Sequence, residues 1–104
     1  MNIVGVTACT AGIAHTYIAK EKLVTTAEEM GHNIKIETQG TIGVEDELTA
    51  EDIKNADIVI LASDINVGGK ERFKGKPVVT VPVSMAIKNA KSLIKKIESQ
   101  LTKD

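Results

Sequence analysis

The sequence has one cysteine, no tryptophan, one tyrosine and one phenylalanine in 104 residues. One cysteine forms no internal disulfide, which points to a reducing compartment. So few aromatic rings leave little for base stacking, and the core must be aliphatic. Neither sign of charge dominates. Thirteen basic against fourteen acidic residues leave a net charge of −1, which provides no electrostatic drive toward nucleic acid or an acidic membrane surface. No run approaches the roughly 20 apolar residues of a membrane span, and the first residues lack the basic segment and apolar stretch of an export signal. No repeat, low-complexity tract or linker divides the chain. A soluble, cytoplasmic protein is expected, forming one domain over residues 1–104 with a modest core that needs no metal or disulfide.

What is present alternates between two periodicities. Asn2 to Thr7 is a short β-branched apolar run, read as a buried strand. From Ala14 to Met30 the spacing is helical, with Ala19, Leu23, Ala27 and Met30 on one face and Gly31 as the stop. Ile34 to Thr38 alternates as a strand, and Gly40 and Gly43 mark a loop. Thr49-Ala50-Glu51-Asp52 has the spacing of a capping box, opening a short helix to about Asn55. Ile58 to Ala62 is the most apolar run, a central strand, and Pro77 to Val81 supplies a fourth. A last helix from about Ser84 carries Ile87, Ala90, Ile94, Ile97 and Leu101 at spacings of three and four. Four strands alternating with helices predict an α/β fold: one open, mostly parallel, Rossmann-like sheet with helices on both faces. Ligands of such sheets bind beyond the carboxyl ends of the strands.

The single cysteine, Cys9, falls at one of those ends, between the first strand and the first helix. Gly12 allows the chain to turn and to approach a ligand closely. Free N–H groups in such a loop, followed by a helix N-terminus, attract an oxyanion. The same field favours thiolate over thiol and makes the sulfur nucleophilic. Thr10 and Thr16 add hydroxyl donors, and the residues together suit phosphoryl transfer through Cys9. The competing reading is a small buried cysteine packed beneath the helix, the usual fate of a free thiol. His15 serves equally as a structural residue of the early helix or as a phosphate and thiolate contact. His32, after the helix-stopping Gly31, reads as an exposed turn residue.

Cysteine phosphatases also place Cys, five residues, Arg and Ser or Thr on a strand–loop–helix. Here the five residues after Cys9 lead to His15-Thr16, and the arginine that would clamp phosphoryl oxygens is missing. Asp64, after the third strand, is the residue that a general-acid role would fall on. A hydrolase must activate water, whereas a carrier benefits from lacking an efficient base, because its thiophosphate must survive until the acceptor arrives. The missing arginine favours a carrier. A non-catalytic anion-binding or regulatory module is the remaining alternative.

The segment "TACTAGIAHTYIAKEKL" resembles the active-site segment of fructose-type enzyme IIB domains of the bacterial sugar phosphotransferase system. The resemblance continues through "IKIETQG", "LTAEDIKNADIVILASD" and "RFKGKPV", nearly the whole chain up to the last helix. It implies a phosphotransferase component that needs no cofactor or metal. A IIA phosphocarrier would donate from a phosphohistidine to Cys9, and the phosphocysteine would pass the group to a sugar of the fructose or mannose class held by a membrane IIC permease. The family's cysteine maps onto Cys9 and its phosphate loop onto Thr10, Ala11, Gly12, Ile13, Ala14, His15 and Thr16. Where the family has Pro-Thr after the cysteine, this chain has Thr10-Ala11, which frees one N–H and removes one hydroxyl. Transient association with the permease is implied, and a cytoplasmic monomer is expected.

Two further groups of residues are noted. Glu37, Thr38 and Gln39 end the second strand, either as strand-end turn residues or as phosphate contacts. Lys70, Arg72, Lys74 and Lys76 form the densest basic cluster, read as a solvated loop in preference to a guide for an acidic partner. The apolar stripe of "KSLIKKIESQL" is needed to cover the sheet and is not read as a membrane anchor.

Overall fold

Strand β1 (Asn2–Ala8) follows directly from its composition. Ile3 to Ala8 are all buried, so the strand has no solvent face and must be covered on both sides. In the computed structural model, which describes residues 1–8, 13–40, 43–65, 67 and 69–102, β1 lies at the centre of a five-stranded sheet of order β3-β2-β1-β4-β5. The elements are α1 (Ile13–Glu29), β2 (Asn33–Gly40), β3 (Gly43–Glu45), α2 (Ala50–Lys54), β4 (Ile58–Ser63), a 3₁₀ turn (Lys70–Phe73), β5 (Val78–Val81), α3 (Val83–Lys88) and α4 (Ala90–Thr102). β1 pairs in parallel with β2, Thr7 opposite Thr38, and with β4, Thr7 opposite Ala62. β5 extends the parallel set beyond β4.

Alternation divides the core into two layers. Ile3, Ile36, Ile58, Ile60 and Ala62 face α1, α3 and α4, whose Ala19, Leu23, Ala27, Ala86, Leu93, Ile94 and Ile97 cover them. Val4, Val6, Ala8, Val59 and Leu61 face the other way, under Leu48, Ile53, Ala56, Val67 and Phe73. The helical spacing of Ala19, Leu23 and Ala27 is therefore the buried face of α1, with Met30 partly buried beside it. Gly31 ends the helix at φ 86°, and the His32 N–H reaches back to Ala27 O at 2.9 Å. The capping box forms as its spacing requires: Asp52 N–H donates to Thr49 Oγ1 at 3.0 Å, and Thr49 N–H donates to Asp52 Oδ2 at 2.9 Å.

Three expectations need correction. The sheet has five strands and is mixed, because β3 pairs antiparallel to β2 (Thr38 opposite Glu45), in the region read as a Gly40–Gly43 loop. All three β3 residues are exposed, so no hydrophobic alternation marked it. Side chains hold it to α1: the Tyr17 hydroxyl donates to Glu45 and Lys20 pairs with Asp46. The last helix is two helices, broken at Asn89 (φ −131°, ψ 34°), whose N–H still bonds Met85 O at 2.8 Å. The apolar spacing from Val83 to Ile97 runs across the break, so periodicity alone did not reveal it; the Leu101 side chain lies outside the described residues. His32 is not an exposed turn residue. Its side chain is 9 % exposed and its Nε2 lies 2.5 Å from Glu98 Oε2, tying the start of β2 to α4.

Gly5, in the middle of β1, is set by close approach. A Cβ there would stand 2.7 Å from Ile60 O and 2.8 Å from Ile36 Cδ1, backbone on one side and a packed core side chain on the other. Gly5→Ala is expected to cost about 1–3 kcal/mol, as overpacking does. A urea titration with a lowered midpoint and unchanged slope is the expected result.

Candidate active site

Cys9, Thr10, Ala11 and Gly12, the centre of the expected site, lie outside the described residues, as do the side chains of Ile13 and Ala14. The elements on either side of them are described. β1 ends at Ala8, and α1 begins at Ile13 with no acidic residue in its first turn. The positive end of a 17-residue helix is thus left uncompensated by its own side chains. His15 in that turn is exposed, whereas Thr16 is buried.

Because β1, β2, β4 and β5 run in parallel, their carboxyl ends share one edge. Asp64 N–H donates to Ala8 O at 3.3 Å, drawing the end of β4 against the end of β1. Asp64 Oδ1 in turn accepts the Val83 N–H at 3.2 Å, supporting the start of α3. That carboxylate has a structural task at the edge. A cleft of about 450 Å³ opens there between α1 and α3, lined by His15, Ile18, Asp64, Ser84 and Lys88 among others. Among the described residues no group of three His, Cys, Asp or Glu side chains is placed to hold a metal, and no helix is long and apolar enough to cross a membrane.

Glu37, Thr38 and Gln39 separate by pleat. Glu37 turns away from α1 and is 1 % exposed. Arg72 meets it in a fork, Nη1 to Oε1 at 2.7 Å and Nη2 to Oε2 at 3.1 Å. Leu48 N–H (3.0 Å) and Gln39 Nε2 (2.7 Å) complete the carboxylate's partners. Arg72 Nε donates to Gly69 O at 2.7 Å, and its guanidinium lies 4.9 Å from the Phe73 ring centre. Burial alone would raise the Glu37 pKa, but the bonds from Arg72, Gln39 and Leu48 outweigh it and hold the carboxyl below its ordinary value of 4.5. The basic cluster is therefore no uniformly solvated loop: Arg72 is engaged with Glu37, and Lys76 Nζ donates to Lys54 O at 2.8 Å and Ala56 O at 2.9 Å. The missed signal was the charged second face of β2, Lys35-x-Glu37-x-Gln39, which required partners; Lys35 finds Asp52 at 2.7 Å.

Thr38 turns the other way, toward α1, as does its cross-strand neighbour Thr7. Thr7, Thr16 and Thr38 are at most 3 % exposed, and among the described residues none of their hydroxyls has a hydrogen-bond partner. An unmade bond at a buried hydroxyl costs about 1–3 kcal/mol, and valine would fill the same space without that cost. Thr7 and Thr38 lie side by side where the aliphatic layer beneath α1 reaches the carboxyl edge, and Thr16 is buried in the first turn of α1. Sequence reading singled out Thr16 and noted Thr38 but passed over Thr7, which resembled any β-branched strand residue.

With this geometry, the chain matches over residues 4–96 the family described as "PTS system, Lactose/Cellobiose specific IIB subunit". It belongs to the enzyme IIB family of the phosphotransferase system. It is 52 % identical over 99 residues, 95 % of this chain and 93 % of the relative, to the PTS system fructose-like EIIB component 2 of Escherichia coli K12. It is 46 % identical over 98 residues to a PTS system fructose-specific EIIABC component of Bacillus subtilis, covering 94 % of this chain and 15 % of that protein. Among solved structures, a domain of the fructose-specific IIABC component of Borrelia burgdorferi superposes with a TM-score of 0.86 at 50 % identity, over 90 % of this chain and 89 % of that one. The IIB chain is accordingly a phosphotransferase component, with a role in the phosphoryl transfer of a sugar phosphotransferase system. The EIIABC relative is consistent with IIA and IIC partners.

In this IIB protein the Glu37–Arg72 pair anchors the turn that covers the second layer. Glu37→Gln is expected to cost about 3 kcal/mol at neutral pH, the lower end for breaking a buried pair because the Arg72 side chain is 23 % exposed. A carboxyl whose folded pKa is depressed stabilises above its unfolded pKa and loses that contribution as pH falls through the folded one. As pH falls below the ordinary value of 4.5, wild type should therefore lose more stability than Glu37→Gln, as urea titrations at successive pH values will show.

Proposed function

We propose that the protein is a phosphoryl carrier in which Cys9 is the acceptor and donor. The thiolate of Cys9 attacks phosphorus on the phosphohistidine of a IIA partner. The S–P bond forms as the N–P bond breaks, and the imidazole nitrogen keeps the electron pair and ends with the proton the thiol has lost. In the second step a sugar hydroxyl, held by a membrane IIC permease, attacks the same phosphorus. The O–P bond forms, the sulfur leaves as thiolate, and the hydroxyl's proton restores the thiol. The backbone and hydroxyls of Thr10 to Thr16 hold the phosphoryl oxygens, helped by the start of α1. A sugar of the fructose or mannose class is the acceptor, and the protein works as a monomer on the cytoplasmic side.

The observation that carries this reading over hydrolysis concerns arginine. The sequence has one, Arg72, and both of its terminal nitrogens bond Glu37 on the far side of the sheet from α1. A cysteine phosphatase needs a guanidinium to clamp the phosphoryl oxygens bidentately, and here the only one is bonded elsewhere. A thiophosphate without that clamp suits a group kept for delivery to an acceptor.

Phosphate fed from phosphoenolpyruvate through the general phosphotransferase proteins and a matching IIA is expected to add one phosphoryl group to the wild-type protein. Intact-mass spectrometry reads the increment. Cys9→Ser should show none, and membranes carrying the matching IIC with sugar should discharge the wild-type adduct. An adduct that survives in Cys9→Ser would contradict the assignment.

A further inference from the structure

We propose that the groove between the 3₁₀ turn and β5 is a docking site for an extended, acidic segment of a partner protein, taken up as an added strand. The inference goes beyond the carrier reading and involves neither Cys9 nor its loop. The groove has a volume of about 360 Å³ and lies on the face of the sheet turned away from α1. β5 ends the sheet, and among the described residues no strand lies beyond it. Val79 and Val81 pack into the layer under α1, α3 and α4. Val78 and Thr80 point the other way and stay exposed, Val78 to 42 %. The backbone at this edge is set for pairing. Pro77 O accepts the Val59 N–H at 2.9 Å, so Val79 and Val81 direct their N–H and C=O groups toward β4. By alternation, those of Val78 and Thr80 are directed outward, the row that an edge strand offers to another chain. An incoming strand gains main-chain bonds at Val78 and Thr80 and lays alternate side chains beside them.

Charge identifies the occupant. Lys70, Lys74 and Lys76 line the groove, and no carboxylate does. Lys70 and Lys74 are exposed, whereas Lys76 Nζ is held by Lys54 O and Ala56 O. Glu71, within the same turn, lines the separate pocket of Glu37, Glu47 and Arg72. The turn therefore sorts its charges, lysines over β5 and carboxylates toward β2, in a chain whose net charge is only −1. A second copy of this edge would bring lysines against lysines, which disfavours self-pairing. RNA or an anionic membrane would answer the lysines but offers nothing that pairs as a strand beside Val78. An acidic strand answers the lysines, the exposed valine and the row of backbone groups together. Val78 begins β5, at the end of the strand opposite the carboxyl edge, so a docked segment leaves that edge open.

The probe is a synthetic peptide of alternating glutamate and valine, titrated into the isotope-labelled full chain and followed by NMR. Amide shifts centred on Val78 and Thr80, slowed hydrogen exchange at those two amides, and an affinity that weakens as salt rises are expected. Lys70→Glu combined with Lys74→Glu should weaken binding about tenfold or more and keep the melting temperature, because both side chains are exposed. The same peptide with every backbone nitrogen methylated should not bind, since it has no N–H to complete the ladder. Absence of shifts at millimolar peptide would overturn the inference. So would wild-type affinity in the doubly reversed variant, or equal binding of the methylated peptide, because either would mean contact elsewhere or diffuse attraction. Tighter binding of single-stranded RNA or of phosphatidylserine vesicles at the same residues would also overturn it, in favour of that ligand. Phosphoryl transfer enters none of these readouts, so failure of the carrier reading leaves the test intact.

Discussion

Parallel pairing of β1 on both sides is the constraint on which the remainder of the molecule depends. With β2 and β4 in register beside it, every parallel strand must deliver its carboxyl end to the same edge, and the helices that return the chain must lie across the faces. Gly5 makes this possible at the tightest point, where Ile60 and Ile36 close over the β1 backbone. The edge thereby gathers the end of β1, the start of α1, Asp64 and the start of α3 without requiring any long loop to bring them together.

The two faces of the sheet solve different problems. Toward α1 the layer is aliphatic up to its last register, where Thr7 and Thr38 lie side by side on β1 and β2. Away from α1 the second strand carries charge, and that charge is neutralised locally: Lys35 by Asp52, Glu37 by Arg72. Asp52, half-buried, has its pKa lowered to about 2 by Lys35 and by the Thr49 backbone and side chain, so the capping box and the β2 ion pair share one carboxylate. Charge on this face thus holds the cover of the sheet in place. The only guanidinium is part of that cover, which is why the phosphate chemistry is read as delivery to an acceptor.

Much of this was legible because burial writes itself into spacing. The four long strands, the buried stripe of Ala19, Leu23 and Ala27, and the Thr49–Asp52 capping box all follow from local patterns, and all are present. The β3 strand was not legible, since it buries nothing and is held by Tyr17 and Lys20 from a distant helix. Nor was the break at Asn89, because the apolar period continues through it. The family resemblance rested on the residues around Cys9 and agrees with the match over residues 4–96. The roles of Glu37 and Arg72, 35 positions apart in the chain, depend on tertiary contact and needed the fold.

Phosphorus NMR of the protein loaded from phosphorylated IIA, followed over time without sugar or permease, tests the carrier reading most directly. A single sulfur-linked phosphoryl resonance that persists, with little release of inorganic phosphate, is the predicted spectrum. Steady accumulation of inorganic phosphate at the expense of that resonance, or a resonance linked to nitrogen or oxygen in its place, would contradict it.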